Sequence, residues 1–268
     1  MENIILISLL FYLASFASYI KSIINKRELN FYGQFTLWIA FILHTSYFVL
    51  KYSKEGCFSV NSIVNALPFY AWMLVFLTGV ITLKYKVKTL NFILLPIAMI
   101  LLVVKIFLKE VQPQEIYFSN LWLLVHTTLT FLGYAGFTAG FVCAILYLWQ
   151  ERKIKKHASD ILSSKTVPAL QIVDNLGYQS IKIGFLFLTG GMIVGAFWLG
   201  NLEGVYWSGS FKEIFSVITW FTYAILLHLH IFGFFRGKKI AWIIIASFVF
   251  MIFSFIGINL LFPTNFHN

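Results

Sequence analysis

Charge is what this sequence has least of. Only 11% of its 268 residues are charged, and just ten of them are Asp or Glu. A water-soluble domain of this length needs far more polar surface to cover its core. Cysteine is nearly absent as well: Cys57 and Cys143 stand alone, with no C-x-x-C or C-x-x-C-H spacing. That excludes a disulfide framework, a thiol oxidoreductase and a c-type cytochrome. The amino-terminal apolar run lacks a positively charged start and a small-residue cleavage site, so it reads as a retained span rather than a removable signal. No internal repeat is visible, which removes the main sequence sign of an alternating-access solute transporter.

What the chain has in quantity is apolar and aromatic side chains: 60% of residues are hydrophobic, with thirty Phe, thirteen Tyr and eight Trp. Crossing a hydrocarbon core takes about 20 helical residues. Runs apolar enough to do so lie near Ile4–Ile20, Tyr32–Leu50, Ala66–Leu83, Leu90–Leu108, Leu121–Trp149, Ile181–Leu199, Ile214–Phe235 and Ile240–Phe262. The expectation is an all-α, polytopic membrane helix bundle with about eight transmembrane helices. It forms a single integral membrane domain over residues 1–268, because the lipid bilayer itself solvates the apolar faces. The fifth run is longer than a span requires, so it tilts or continues past the membrane.

The net charge of +10 reports orientation more than partners. Lys and Arg collect in cytoplasmic loops. The loops after helices one, three, five and seven hold Lys21, Lys26 and Arg27; Lys84, Lys86 and Lys88; Arg152, Lys153, Lys155, Lys156, Lys165 and Lys182; and Arg236, Lys238 and Lys239. Only Lys51, Lys54, Lys105, Lys109 and Lys212 fall on the other side or at its edge. Both termini are then expected outside, on the periplasmic or extracytoplasmic face. Charges confined to short gaps do not make the basic face that nucleic acid binding needs, so no nucleic acid partner is expected. The stretch of about 151–180 reads as a cytoplasmic loop in which Lys165–Asn175 is either a solvated linker or a short surface helix. Tyr52–Asn65, Glu110–Asn120 and Gly200–Glu213 stand out on the outer side.

Topology separates the histidines. His126 begins the fifth helix on the outer side, and His267 lies beyond the last helix on that same side. His44 sits within the second helix and His228 within the seventh; His230 projects about 200° around the helix from His228, so one of that pair points away. Ionisable groups inside a membrane are costly and default to functional hypotheses, although a single buried His satisfied by a carbonyl or hydroxyl is common. Two neutral imidazoles in one layer suit the two axial positions of an iron porphyrin. The external segment of about 198–220 is rich in aromatics, with Trp198, Tyr206, Trp207 and Trp220. These side chains read either as the interfacial belt of any polytopic protein or as a flat apolar shelf for a porphyrin, with Lys212 beside it for a propionate.

The order of motifs resembles the cytochrome c assembly family of heme-handling membrane proteins, in its CcsA/ResC branch (system II cytochrome c biogenesis). Gly56-Cys-Phe-Ser-Val-Asn61 through Trp72 looks like the family's approach to the third helix. Leu121-Trp-Leu-Leu-Val-His126 running to Gly133-Tyr134, then Tyr147, Gln150 and Glu151, is similar to its first external histidine helix. Asp174-Asn-Leu-Gly-Tyr178, Gly184-Phe185 and Gly191 to Trp198 resemble the lead into its Trp-rich segment, and Gly257-Ile-Asn259-Leu-Leu followed by His267 resembles its second external histidine.

The resemblance implies that His126 and His267 are axial ligands of an external heme, that His228 is one ligand of an intramembrane heme, and that His44 is a weaker candidate for its partner. It implies transport and presentation of heme b to apocytochrome c with a ResB/CcsB-type membrane subunit. The setting would be a bacterial cytoplasmic membrane or its thylakoid equivalent. The chain would be the heme-handling part of a holocytochrome c synthase, a label that rests on the resemblance alone because no general acid or base stands out among its residues. Against the family's Trp-Gly-x-x-Trp-x-Trp-Asp-x-Lys-Glu, Glu203 replaces the first Trp, Gly209 the third and Ser210 the Asp. Gly204, Trp207, Lys212, Glu213, Ser216 and Trp220 are retained. The other reading is a HemX-like membrane protein that regulates heme biosynthesis or assembly; retention of His126, His228 and His267 argues against it.

Overall fold

The computed structural model describes residues 2–25, 31–55, 63–85, 88–108, 121–156 and 168–257. Among them the chain forms α1 (Glu2–Ile24), α2 (Phe31–Glu55), α3 (Ile63–Tyr85), α4 (Lys88–Phe107), α5 (Leu121–Lys155), α6 (Leu170–Glu203), α7 (Phe211–Ile231) and α8 (Lys238–Ile252). The last runs on into a π-helical turn, Phe253–Gly257. Among the described residues, eight helices are long and apolar enough to cross a membrane. The described residues contain no strand, and the chain is an all-helical, multi-pass membrane protein.

Several boundaries differ from those read off the apolar runs, and two have a local cause. Helix α6 starts at Leu170, not near Ile181, so Leu170–Ser180 of the expected loop is helical and continuous with the span. Its polar residues hid this, because the helix is amphipathic there: Val173, Leu176, Gly177, Ser180 and Ile181 are buried while the remaining face carries Gln171, Asp174 and Lys182. Helix α7 stops at Ile231, ahead of Gly233 and Gly237 with φ of +70° and +59°, a left-handed backbone that suits glycine. Helices α5 and α6, with 35 and 34 residues, are each about 50 Å long at 1.5 Å per residue. Both therefore outrun a hydrocarbon core of about 30 Å.

The described residues fall into two compact units, one within Met1–Leu121 and Arg152–Ile172, the other within Trp122–Glu151 and Val173–Asn268. In the first, α1 packs on α2 and α4, and α3 packs on α4 and α2. The buried face of α1 is polar: Ser8, Tyr12, Ser15, Tyr19 and Ser22 follow Ile5 at alternating three- and four-residue steps, while Leu6, Ile7, Leu10 and Leu13 face outward. Lipid accepts the apolar face, and the polar one must be satisfied inside. Ser15 donates to the Gly33 carbonyl at 2.7 Å, and Tyr19 donates to Gln34 at 2.8 Å. The Asn91 amide donates to the Tyr19 hydroxyl at 2.7 Å, and Thr82 donates to Asn91 at 2.6 Å.

The second unit is organised by glycine. Gly133, Gly136 and Gly140 of α5 face Gly177, Gly184 and Gly191 of α6, and the backbones meet directly: a Cβ on Gly136 would lie 2.7 Å from Gly184 Cα, and one on Gly184 would lie 2.8 Å from the Gly133 carbonyl oxygen. Positions 126, 133 and 140 on one helix and 177, 184 and 191 on the other repeat every seven residues, so each row stays on the seam. Phe137 stacks on Tyr223 of α7 with ring centroids 3.5 Å apart, and Phe141 on Phe248 of α8 at 4.1 Å. Gly136→Ala is expected to lower stability in detergent by about 1–3 kcal/mol through overpacking. Gly190→Ala, whose Cβ would meet only Leu129 Cδ1 at 3.6 Å, should change it by less than about 0.5 kcal/mol. Denaturant or thermal unfolding of the purified variants checks the difference.

Candidate functional site

The seam ends at His126. Running along α5 from Gly140 and Gly133, the same heptad row brings its imidazole against Gly191 and Gly195 of α6. Nδ1 lies 2.7 Å from the Gly191 carbonyl oxygen. A carbonyl only accepts, so in the neutral imidazole Nδ1 carries the proton and Nε2 keeps its lone pair. Thr130 donates to the His126 carbonyl at 2.8 Å and holds the turn below.

His126 lines a cavity of about 310 Å³ formed by the start of α5, the end of α6, the connection that follows and the start of α7. Trp198, Tyr206, Trp207 and Lys212 line the same cavity. Of the nine site residues expected from the sequence, five therefore share one space. The Tyr206 ring packs over the bare backbone of Gly200, where a Cβ would come within 2.7 Å of it, and it meets Phe197 edge-on with centroids 6.0 Å apart. Tyr206 and Trp207 are 65% and 52% exposed, so their apolar area is available to a flat ligand.

The connection between α6 and α7 is held by one carboxylate. Glu213 accepts from the Ser208 and Gly209 backbone amides at 2.9 and 3.0 Å and from the Ser208 hydroxyl at 2.8 Å. Its own amide donates to the Ser210 side chain at 3.4 Å, which makes Ser210 the N-cap of α7. Ser-x-x-Glu ahead of an apolar helix is a capping signature readable in the sequence. The three residues that depart from the resembled motif each have a physical role in this structure. Ser210 caps α7, a task Ser and Asp perform about equally well. Gly209 adopts φ +72°, where a residue with a Cβ is strained. Glu203 lines the cavity.

The other expected residues sit elsewhere. His228 and Trp220 line a second cavity of about 360 Å³ along α7, with Ala224, Phe232 and Phe234. The His228 Nδ1 donates to the Ala224 carbonyl at 2.7 Å, again leaving the lone pair on Nε2. The Trp220 indole donates to Thr189 at 2.9 Å. His230 points the other way and stacks on Tyr178 at 3.8 Å. His44 lies in the first unit, fully buried, with Nδ1 3.2 Å from the Tyr12 hydroxyl and Nε2 without a hydrogen-bond partner. His267 lies outside the described residues. Among the described residues no three His, Cys, Asp or Glu side chains cluster as they would around a metal ion. The polar contacts that shape the main cavity, Gly191 with His126 and Glu213 with the connection, were absent from the sequence expectation. Glu213→Ala is expected to speed hydrogen exchange of the Ser208 and Gly209 amides at least tenfold, measured by mass spectrometry on the purified chain, with α5 and α6 unaffected.

Comparison with known proteins bears on the whole of this arrangement. The family described as cytochrome C assembly protein matches residues 60–264. The cytochrome c biogenesis protein CcsA of Chlorella vulgaris is 30% identical over 271 residues, covering 88% of this chain and 85% of that protein. CcsA of Guillardia theta is 28% identical over 276 residues, covering 95% and 92%, and CcsA of Mesostigma viride is 26% identical over 266 residues, covering 90% and 87%. A match that takes in the seam, the His126 cavity, the connection and α7 identifies the chain as a member of the cytochrome c assembly protein family.

Proposed function

We propose that this protein binds heme b in the His126 cavity and presents it at the outer membrane face for attachment to apocytochrome c, in cytochrome c biogenesis. The observation that carries this reading is a single space holding an imidazole with its Nε2 lone pair fixed, the rings of Trp198, Tyr206 and Trp207, and the Lys212 cation. Imidazole is a good axial ligand for heme iron. Indole and phenol faces stack on a flat ring, and an ammonium pairs with a carboxylate. The cavity volume is within the usual range for small-molecule sites. Bound heme supplies the vinyl groups to which cysteine thiols of the acceptor add; this chain's residues hold and orient the ring, so its contribution is positioning.

In this reading His267 would be a second ligand to the same iron, and His228, which lines the α7 groove, would ligate an intramembrane heme. That groove is open and apolar, with Phe232 and Phe234 68% and 72% exposed, which suits a ResB/CcsB-type membrane subunit packing over it. His44 has a different seat: a macrocycle at its fully buried ring requires the helices of the first unit to part, so we assign it to packing with Tyr12. The asymmetry of basic residues supports an outer-side cavity and outer termini, and the membrane we propose is a bacterial cytoplasmic membrane or the thylakoid equivalent.

The optical spectrum of the purified chain tests the proposal. A histidine-ligated heme signal is expected in the wild type. The affinity of the cavity for heme should fall at least about tenfold in His126→Ala, since losing the ligand costs no less than losing one of its outer hydrogen-bond partners, and should be unchanged in His44→Phe. A wild-type chain free of heme, even when co-expressed with a ResB/CcsB-type subunit, would overturn the proposal.

A further inference from the structure

We propose that Gly191 and Gly195 form a preformed imidazole slot, making them the positioning residues that present His126 Nε2 to a metal macrocycle. The inference rests on the heme reading of the cavity and adds the device by which the ligand is set. Two observations meet here. A Cβ on Gly195 would lie 2.5 Å from His126 Nδ1 and 2.7 Å from Cε1, so the ring occupies the volume that any other residue at 195 would fill. A Cβ on Gly191 would lie 2.7 Å from Thr130 Oγ1 and 3.1 Å from the Thr130 amide. Only glycine there lets α6 approach closely enough for its carbonyl to reach Nδ1 at 2.7 Å.

The two glycines, one helical turn apart, therefore divide the work: the first brings a hydrogen-bond acceptor to the base of the slot and the second clears its wall. The chemical result is specific. A ring held by Nδ1–H to a carbonyl has one tautomer and one orientation, so the ligand is organised before any iron arrives. The same hydrogen bond increases the electron-donating strength of Nε2. It favours the ferric over the ferrous state of the bound iron, so weakening it should raise the reduction potential. Gly190, beside the slot, makes no such contact: its Cβ would meet only Leu129 Cδ1, at ordinary van der Waals distance.

Azole rescue in the full-length chain tests the slot without touching the backbone that forms it. In His126→Gly the slot is emptied, and ferric heme b is titrated in the presence of imidazole or of 1-methylimidazole, which has no N–H once bound to iron. In a His228→Phe background, which removes the other proposed heme ligand, imidazole is expected to restore the bis-imidazole spectrum at a concentration at least tenfold below that of 1-methylimidazole; equal concentrations would overturn the slot. In parallel, Gly195→Ala should weaken heme binding about tenfold or more and raise its reduction potential, while Gly190→Ala stays within twofold of wild type. If Gly195→Ala does not fold, the azole comparison decides alone. A wild-type chain that binds no heme would remove the underlying reading. A wild-type chain that binds heme, with azoles that do not discriminate, would remove only the slot.

Discussion

Bare backbone against bare backbone, where α5 meets α6, is the contact on which the rest of the second unit depends. In lipid the hydrophobic effect does not drive helices together, so close approach, dispersion and polar contacts must do so. Gly133, Gly136 and Gly140 against Gly177, Gly184 and Gly191 permit that approach, and its consequence is chemical as well as structural. With the two axes drawn together, a main-chain carbonyl of α6 comes within hydrogen-bonding reach of a side chain on α5. A wider crossing would leave His126 as one more polar group in an apolar setting, with either ring nitrogen free to hold the proton.

The same economy governs the cavity's outer wall. A single carboxylate, Glu213, gathers the Ser208 and Gly209 amides and the Ser208 hydroxyl, and the helix it belongs to is capped by Ser210. The connection is closed by local hydrogen bonds that do not involve indoles. The first unit solves the opposite problem. There, hydroxyls, amides and the His44 ring face inward from apolar helices and bond to one another, with Tyr12 on His44 and Tyr19 between Gln34 and Asn91, while His44 Nε2 and the Gln34 amide nitrogen have no hydrogen-bond partner among the described residues.

Much of this was legible in the sequence, for identifiable reasons. Eight spans followed from apolar runs because a hydrocarbon core sets a minimum length that few other structures mimic. His126, Trp198, Tyr206, Trp207 and Lys212 were legible as a set because they flank one connection and share a membrane side. The start of α6 was not legible, since a hydropathy average cannot see an amphipathic face such as Val173, Leu176 and Ser180. Nor was the division of labour between Trp207 and Trp220, thirteen residues apart along the chain and lining separate cavities, because helix α7 carries its first turns past one space and its later turns past another. The seven-residue recurrence of Gly177, Gly184 and Gly191 and the Ser210-x-x-Glu213 signature were both present to be read. What they meant depended on which helix lay opposite, and that is a tertiary fact.

The central claim is that His126 offers Nε2 to iron while Nδ1 stays on the Gly191 carbonyl. A structure of the heme-loaded chain with its membrane partner tests it most directly. The account predicts iron bonded to His126 Nε2 inside the cavity lined by Trp198 and Trp207, with the Nδ1 to Gly191 hydrogen bond intact. Iron bonded elsewhere, or a His126 ring turned away from Gly191 to reach it, would contradict the account.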